Sequence, residues 1–185
     1  KHKQVIQLFE TTSHACSKLV TKTYSTSFAT AIRLLDKQIR QPIYNIYGFV
    51  RYADEIVDTF HDFDKATLLQ EFTNETWLAI ERGISLNPIL NSFQQTVNKY
   101  SIPHSLIKAF LHSMELDLQK TDYTTTEELN EYIYGSAEVV GLMCLCVFCN
   151  GDIEQYELLK PAAKKLGAAF QKINFLRDLQ ADKID

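Results

Sequence analysis

Two pairs of aspartates with the same spacing lie near opposite ends of this chain, and that spacing suits metal chemistry. The first pair is Asp54 and Asp58, and the second is Asp178 and Asp182. On an α-helix, residues at i and i+4 share one face with Cβ atoms about 5–6 Å apart, so each pair repels itself unless a cation lies between the carboxylates. Two such helices facing each other would form a cage of hard oxygen ligands suited to Mg²⁺, which commonly shares carboxylates with substrate phosphates.

Aromatic and basic side chains continue the stripe of the first pair. Tyr44, Tyr47 and Arg51 precede Asp54 and Asp58 at spacings of three or four residues, which places all five on one helical face. A water-facing amphipathic helix is the competing interpretation. Such a face usually mixes Lys, Glu and Gln, whereas this one combines an arginine with paired aspartates and two tyrosines. The arginine fork suits phosphate oxygens.

The C-terminal pair lies on a stripe of side chains that all carry oxygen. Its members are Gln171, Asn174, Asp178 and Asp182. Because Asn and Asp carry a modest penalty in helices, four such side chains on one face indicate a use. Carboxylate and amide oxygens are hard ligands that suit Mg²⁺. The shared aspartate spacing of two helices is a stronger signal than either helix alone.

The segments that must position these side chains read as helices. Apolar residues recur with helical spacing, and no alternating strand pattern appears. Prolines mark predicted helix starts, with helices at 42–60, from Pro88, and from Pro103 to about residue 120. Thr125 and Glu128 form a capping box for a long helix that ends near Cys149, and Pro161 is expected to separate a short helix from the last one. The sequence predicts an all-α chain.

Small residues inside the predicted helix 126–149 have two interpretations. They are Gly135, Ser136, Ala137 and Gly141. Glycine inside a helix costs up to about 1 kcal/mol relative to alanine, so its presence needs a reason. The helix either packs closely against a neighbour or leaves space for a long apolar substrate, with Tyr132 near the mouth.

Length and charge exclude several classes of protein. A chain of 185 residues with 45% hydrophobic residues fits one domain, here assigned to residues 1–185. The net charge of −4 argues against a nucleic-acid surface. The cysteines lack the spacing of a zinc site and are expected to be free thiols in a reducing compartment. We expect a cytoplasmic protein, with contact at the membrane periphery left open.

Four segments together resemble the squalene/phytoene synthase family of head-to-head prenyl synthases. Residues 24–28 read YSTSF, residues 46–58 read IYGFVRYADEIVD, residues 132–141 read YIYGSAEVVG and residues 171–182 read QKINFLRDLQAD. The last string is highly specific, and the run from residue 134 to 145 looks most like bacterial phytoene synthases. The resemblance implies a single-domain helical bundle with a central cavity. By the same comparison we expect the C-terminal helices of the family to lie beyond this chain, in which case this polypeptide alone would be inactive.

The resemblance also implies roles for individual residues. Asp54, Asp58, Asp178 and Asp182 would be catalytic and, with Asn174, would hold Mg²⁺, with Mn²⁺ as an alternative. Tyr47 and Tyr132 would complete the catalytic set. The residues implied in substrate binding are Ser25, Ser27, Phe28, Arg51, Ala137, Gly141, Gln171, Asn174 and Arg177. Glu138 departs from the family pattern, since many relatives carry a small residue there, and it would either make a local polar contact or narrow the pocket.

The family chemistry joins two prenyl diphosphates through a cyclopropylcarbinyl diphosphate. We expect a prenyltransferase that makes phytoene from geranylgeranyl diphosphate in carotenoid biosynthesis. One alternative is a squalene or dehydrosqualene synthase that uses farnesyl diphosphate, with NADPH required only for squalene. Another is a catalytically silent helical scaffold or assembly factor, which would have no reason to keep four aspartates. Substrate chain length and oligomeric state are left open by the sequence.

Overall fold

The computed structural model describes residues 2–119 and 123–181, with side chains at 5–119, 123–169 and 171. Within these ranges the chain is helical and contains no β-strand, so the all-α prediction is confirmed. The chain divides into two compact units, Lys1–Ile102 and Pro103–Asp185. The assignment of all 185 residues to one domain stays a prediction.

The first unit is built around one central helix. Its helices are α1 (His2–Tyr24), α2 (Thr26–Ile32), α3 (Lys37–Asp58), α4 (Lys65–Arg82) and α5 (Pro88–Tyr100). Helix α3 packs against α1, α4 and α5. Phe49 of α3 stacks on Phe93 of α5 with ring centroids 3.9 Å apart, and Phe72 of α4 lies 5.6 Å from Phe49. This aromatic cluster fixes α3, which carries the first aspartate pair.

Helix α3 starts earlier than its proline predicts. The sequence places the start at Pro42, but α3 begins at Lys37 and contains Pro42. The reason lies at Asp36, whose side chain accepts a hydrogen bond from Gln38 N at 2.8 Å and so caps the helix upstream. The predicted start at Pro88 is confirmed, with Asn87 as the N-cap.

The second unit contains a helix with an internal change of pitch. Its elements are α6 (His104–Gln119), α7 (Thr126–Ile133), a π-helical turn (Tyr134–Glu138), α8 (Val139–Cys149) and α9 (Ile153–Ala181). Thr125 caps α7 by accepting a hydrogen bond from Glu128 N at 3.1 Å, which confirms the predicted cap. Asn150 ends α8 in the left-handed conformation. The π-helical turn was not predicted, and such turns are frequent at functional sites.

The predicted break at Pro161 is wrong. Helix α9 runs through Pro161 without interruption, although proline removes a backbone hydrogen bond in a helix interior. Helix α9 packs along both α8 and the π-helical turn. The free energy gained by this packing outweighs the local cost of the proline. The expectation that a proline begins a helix considers only neighbouring residues and does not include this packing.

The small residues of the second unit serve close packing. A Cβ atom added to Gly135 would lie 2.7 Å from both Ala109 O and Ser113 Cβ of α6. On the facing helix α9, a Cβ at Gly167 would lie 2.9 Å from Ala137 O. Gly141 is less confined, since its added Cβ would meet Ala163 O at 3.4 Å. The close approach of Gly135 to α6 supports the first of the two interpretations of this segment, close helix packing.

One helical stretch among the described residues is long and apolar enough to cross a membrane. It covers Thr126–Cys149 with a mean hydropathy of 1.7. Within the tested window, 56% is buried inside the protein. A buried core helix passes the same test, so this feature is weak evidence for a membrane span.

All four cysteines are free thiols in the structure. Burial raises the pKa of Cys144 to about 12 and that of Cys146 to about 11. These side chains are therefore protonated at neutral pH. The expectation of unpaired thiols is confirmed.

Replacing Gly135 with alanine is predicted to destabilise the protein, because the new Cβ collides with the backbone and a side chain of α6. We expect a loss of about 1–3 kcal/mol in the free energy of unfolding. The matched variant Gly141→Ala adds the same atom where there is room and improves helix propensity, so it should be neutral or slightly stabilising. Denaturant unfolding of both variants would measure this, and equal losses would contradict the packing account.

Candidate active site

Helix α3 holds the predicted stripe, but one member belongs to the core. Tyr47, Arg51 and Asp54 are half-buried and Asp58 is exposed, as expected for a functional face. Tyr44 is only 3% exposed and packs inside the first unit. The exposed and half-buried part of the stripe, which carries the aspartate pair, therefore starts at Tyr47.

Arg51 is engaged by a neighbour on its own helix. Its Nε and Nη2 atoms donate to Glu55 Oε2 at 3.1 Å and 2.5 Å, and its guanidinium lies 4.6 Å from the Tyr24 ring centroid. Burial acts to raise the pKa of Glu55, but hydrogen bonds from Arg51 and Thr59 outweigh it and lower that pKa. Glu55 is thus a carboxylate that neutralises the arginine, a role that was not predicted.

The carboxylate of Asp58 lies in an environment that disfavours negative charge. Although the residue as a whole is exposed, partial desolvation of its carboxyl raises the pKa of Asp58, and the charges of Arg51 and Lys65 act to lower it. Lys65 donates instead to Val57 O at 2.6 Å. Within the described part of the chain, the carboxylate of Asp58 makes no hydrogen bond or ion pair. Asp58 is also the last residue of α3, where the negative end of the helix dipole disfavours a carboxylate.

The donor chemistry of α3 fits half of the predicted metal site. Asp54 and Asp58 supply hard oxygens one helical turn apart, and the local arginine is bound by Glu55. Among the residues whose side chains are described, no group of three His, Cys, Asp or Glu residues forms a complete site. The other predicted ligands lie elsewhere in the chain, so the complete cage stays a prediction.

Three predicted substrate-binding residues and the predicted catalytic residue Tyr47 come together where α2 meets α3. Ser25 caps α2, with its hydroxyl accepting a hydrogen bond from Phe28 N at 3.2 Å and lying 3.5 Å from Ser27 Oγ. The Phe28 ring stacks on Tyr47 with centroids 5.1 Å apart. Burial raises the pKa of Tyr47, while Arg51 and a hydrogen bond with Ser25 act to lower it. Two hydroxyls and two rings thus form one cluster beside Arg51.

Tyr132 belongs to a polar cluster in the second unit. Its hydroxyl donates to Asp117 Oδ2 at 2.9 Å, and the hydroxyl of Tyr123 donates to Asp117 Oδ1 at 3.0 Å. The two rings lie 4.7 Å apart. Sequence reasoning missed Asp117 and Tyr123. Asp117 could have been found from the sequence as an acidic residue beside the apolar stripe of α6, three positions after the buried Met114.

Glu138 makes a local polar contact. Its carboxylate lies 3.6 Å from Lys164 Nζ, and that ammonium lies 5.2 Å from the Tyr134 ring centroid. The contact joins the π-helical turn to α9. In the same turn the Ser136 hydroxyl is buried without a hydrogen-bond partner in the described structure. An unpartnered buried hydroxyl is costly and commonly has a functional explanation.

Several predicted site residues lie on or beside α9. Ala137 approaches Gly167, and Gly141 faces Ala163. Gln171 is half-buried. Asn174, Arg177 and Asp178 lie on α9, but their side chains are outside the described residues, and Asp182 is outside them entirely. Their predicted roles in binding metal and substrate stay predictions.

A family model described as squalene/phytoene synthase matches residues 21–185. Among curated proteins, the phytoene synthase of Pseudescherichia vulneris is 30% identical over 167 residues, covering 85% of this chain and 53% of its own length. The phytoene synthase of Arthrospira platensis is 29% identical over 182 residues, covering 92% and 58%. The presqualene diphosphate synthase of Rhodopseudomonas palustris is 26% identical over 158 residues, covering 84% and 54%. The chain therefore spans about half the length of the curated relatives it matches.

Solved structures show the same fold. A dehydrosqualene synthase crystallised in complex with a ligand matches with a TM-score of 0.79 and 25% identity, over 91% of this chain and 57% of that one. A squalene synthase from Alicyclobacillus acidocaldarius matches with a TM-score of 0.79 at 23% identity, over 93% and 63%. Both are related to this chain in fold, which agrees with the predicted isoprenoid-synthase bundle.

Tyr132→Phe is predicted to destabilise the protein by about 1.5 kcal/mol, because it removes one of two phenol donors from the Asp117 carboxylate. Tyr134→Phe is the matched control, since the Tyr134 hydroxyl makes no hydrogen bond to a described residue. Thermal or denaturant unfolding would compare the two variants. If both lost the same stability, the phenol–carboxylate cluster would not be the source.

Proposed function

Because this chain belongs to the squalene/phytoene synthase family, we propose that the protein catalyses Mg²⁺-dependent condensation of two geranylgeranyl diphosphates to phytoene. Members of the family are prenyltransferases that condense prenyl diphosphates. In the proposed reaction the first condensation releases one diphosphate and one proton and forms a cyclopropylcarbinyl diphosphate. Loss of the second diphosphate and of one proton then gives phytoene.

The observation that carries the proposal is the charge arrangement on α3. Glu55 binds Arg51 and leaves Asp58 with no ionic partner among the described residues, at a helix end that disfavours negative charge. A divalent cation held by Asp54 and Asp58 would offset the negative charge of these two carboxylates. When bound, Mg²⁺ withdraws electron density from a leaving diphosphate and so favours its departure. In the complete site, Asn174, Asp178 and Asp182 would hold further metal.

The cluster between α2 and α3 suits the diphosphate and the cation that it leaves behind. The hydroxyls of Ser25 and Ser27 donate hydrogen bonds to phosphate oxygens in this proposal. The stacked rings of Phe28 and Tyr47 present π faces to the allylic cation, an interaction worth about 0.5–2 kcal/mol per ring. Arg51 contributes the donors that Glu55 does not occupy.

In the second unit, Asp117 is proposed as a positioning residue. It fixes the Tyr132 ring through the phenol hydrogen bond of 2.9 Å, so that the ring faces the apolar part of the substrate. Ala137 and Gly141 are small residues that lie against α9, where they would border the substrate. Gln171 and Arg177 are assigned to diphosphate binding on α9.

A second candidate is a synthase of the same family that uses farnesyl diphosphate. It is favoured by the relatives whose names concern shorter chains, including a presqualene diphosphate synthase and a 4,4'-diapophytoene synthase. The phytoene synthase names among the matched relatives favour the longer substrate. A cytoplasmic location, with the membrane periphery as the alternative, stays a prediction.

The substrate assignment predicts which hydrocarbon the full-length protein makes. We expect a C40 triene from geranylgeranyl diphosphate with Mg²⁺ and without NADPH, detected by solvent extraction and chromatography. Farnesyl diphosphate would be offered separately, with and without NADPH. A C30 product alone would move the assignment to the second candidate, and no hydrocarbon from either substrate would support the silent scaffold.

Asp54→Asn and Asp178→Asn are each predicted to lower turnover by on the order of 100-fold or more, because each removes a charge that holds the metal against the leaving group. Folding should be preserved, which circular dichroism would check. Asp62→Asn is the control, since Asp62 is exposed and follows α3 in a loop. Wild-type turnover in both site variants would refute the metal assignment.

A further inference from the structure

A basic pocket of about 390 Å³ lies in the first unit at the start of α3. Its cations come from α1, from the end of α2 and from the first turns of α3. They are Lys18, Lys22, Arg33, Lys37 and Arg40, joined by Gln41 and Tyr44. The pocket is separate from the aspartate pair, because Arg40 and Asp54 lie fourteen residues apart on one helix, which is about 21 Å.

Among the described residues, no ion pair neutralises the five cations of the basic pocket. No carboxylate lines the pocket, and within the described part of the chain none of the five forms an ion pair. The nearby Asp36 uses its carboxylate to cap Gln38 N. This concentration of positive charge occurs in a chain with 19 Lys and Arg residues and a net charge of −4. The pocket therefore attracts an anion, although the protein as a whole carries a negative net charge.

Helix α3 adds to this attraction. Lys37 is its first residue and Arg40 follows one turn later. The N-terminal end of a helix carries partial positive charge and favours anions, so cations there are unfavourable unless an anion accompanies them. The first turn of α3 contains no acidic residue, and the carboxylate of the N-cap Asp36 accepts a hydrogen bond from Gln38 N.

The inner wall of the basic pocket is held in place by hydrogen bonds and burial. Arg40 Nε donates to Leu35 O at 2.8 Å, and Gln41 Nε2 donates to His14 O at 2.9 Å. Tyr44 is 3% exposed, and its hydroxyl makes no hydrogen bond to a described residue. Lys18 Nζ lies 5.8 Å from the Tyr44 ring centroid. A buried phenol that lines a cationic pocket is a donor available to a ligand.

We propose that the basic pocket binds a phosphoryl group, as free diphosphate or as the headgroup of an anionic phospholipid. Phosphoryl oxygens accept several charge-assisted hydrogen bonds at once, which matches five cations and a phenol around one cavity. The pocket volume lies in the range of small-ligand sites. Leu34, next to Arg33 in the chain, is 86% exposed. A lipid surface bound at the pocket would cover this apolar side chain.

This inference does not depend on the proposed catalytic function, and the test keeps the two apart. Titrations with inorganic diphosphate are made in EDTA, so that no metal is present to bridge diphosphate to the aspartates. The pocket variant is Lys18→Gln with Lys37→Gln. The charge-matched control is Lys108→Gln with Lys165→Gln, at two exposed lysines in the second unit. Circular dichroism verifies that both variants fold.

A parallel measurement uses sedimentation with vesicles of phosphatidylglycerol and of phosphatidylcholine. The proposal predicts that wild type and control bind diphosphate, phosphatidylglycerol vesicles or both, and that the pocket variant binds about tenfold or more weakly. Binding of diphosphate alone identifies a soluble ligand, and binding of the anionic vesicles alone identifies a lipid headgroup. Equal binding by the two double variants, or binding of neither probe by wild type, would overturn the proposal.

Discussion

Near each end of helix α3 lie charges opposite to those that its dipole favours, alongside the capping carboxylate of Asp36 at the N-terminus, and both proposed sites depend on these charges. Lys37 and Arg40 lie at its positive N-terminus, and Asp54 and Asp58 lie near its negative C-terminus. Each misplaced charge costs about 0.3–1 kcal/mol at an exposed helix end. Arg51, which lies between the two ends, forms an ion pair with Glu55 on the same helix. Ligands of opposite sign at the two ends would remove both costs.

Much of the fold could be predicted because its signals are local. Helical periodicity identified the all-α class, Pro88 marked the start of α5, and Thr125 was recognised as a cap because a cap involves only a few consecutive residues. The aspartate spacing on α3 was readable for the same reason. The motif around Ser25 indicated a site, and the structure joins it to Tyr47 through the stacked Phe28 ring.

The remaining features depend on contacts between distant parts of the chain. Pro161 continues α9 because α8 packs beside it, and Asp117 meets Tyr132 across fifteen positions. The basic pocket gathers cations spread over residues 18–40 of three helices, so no basic run in the sequence marks it. The π-helical turn changes backbone pitch within an otherwise regular helical pattern, which periodicity does not resolve.

The most direct test of the central claim is an electron paramagnetic resonance titration of Mn²⁺ in the presence of inorganic diphosphate. If the α3 carboxylates hold the metal, the wild-type protein will bind Mn²⁺ and Asp58→Asn will bind it about tenfold or more weakly. The Lys18→Gln, Lys37→Gln protein should bind Mn²⁺ as wild type does, because its substitutions lie at the other end of α3. Unchanged Mn²⁺ affinity in Asp58→Asn would contradict the account.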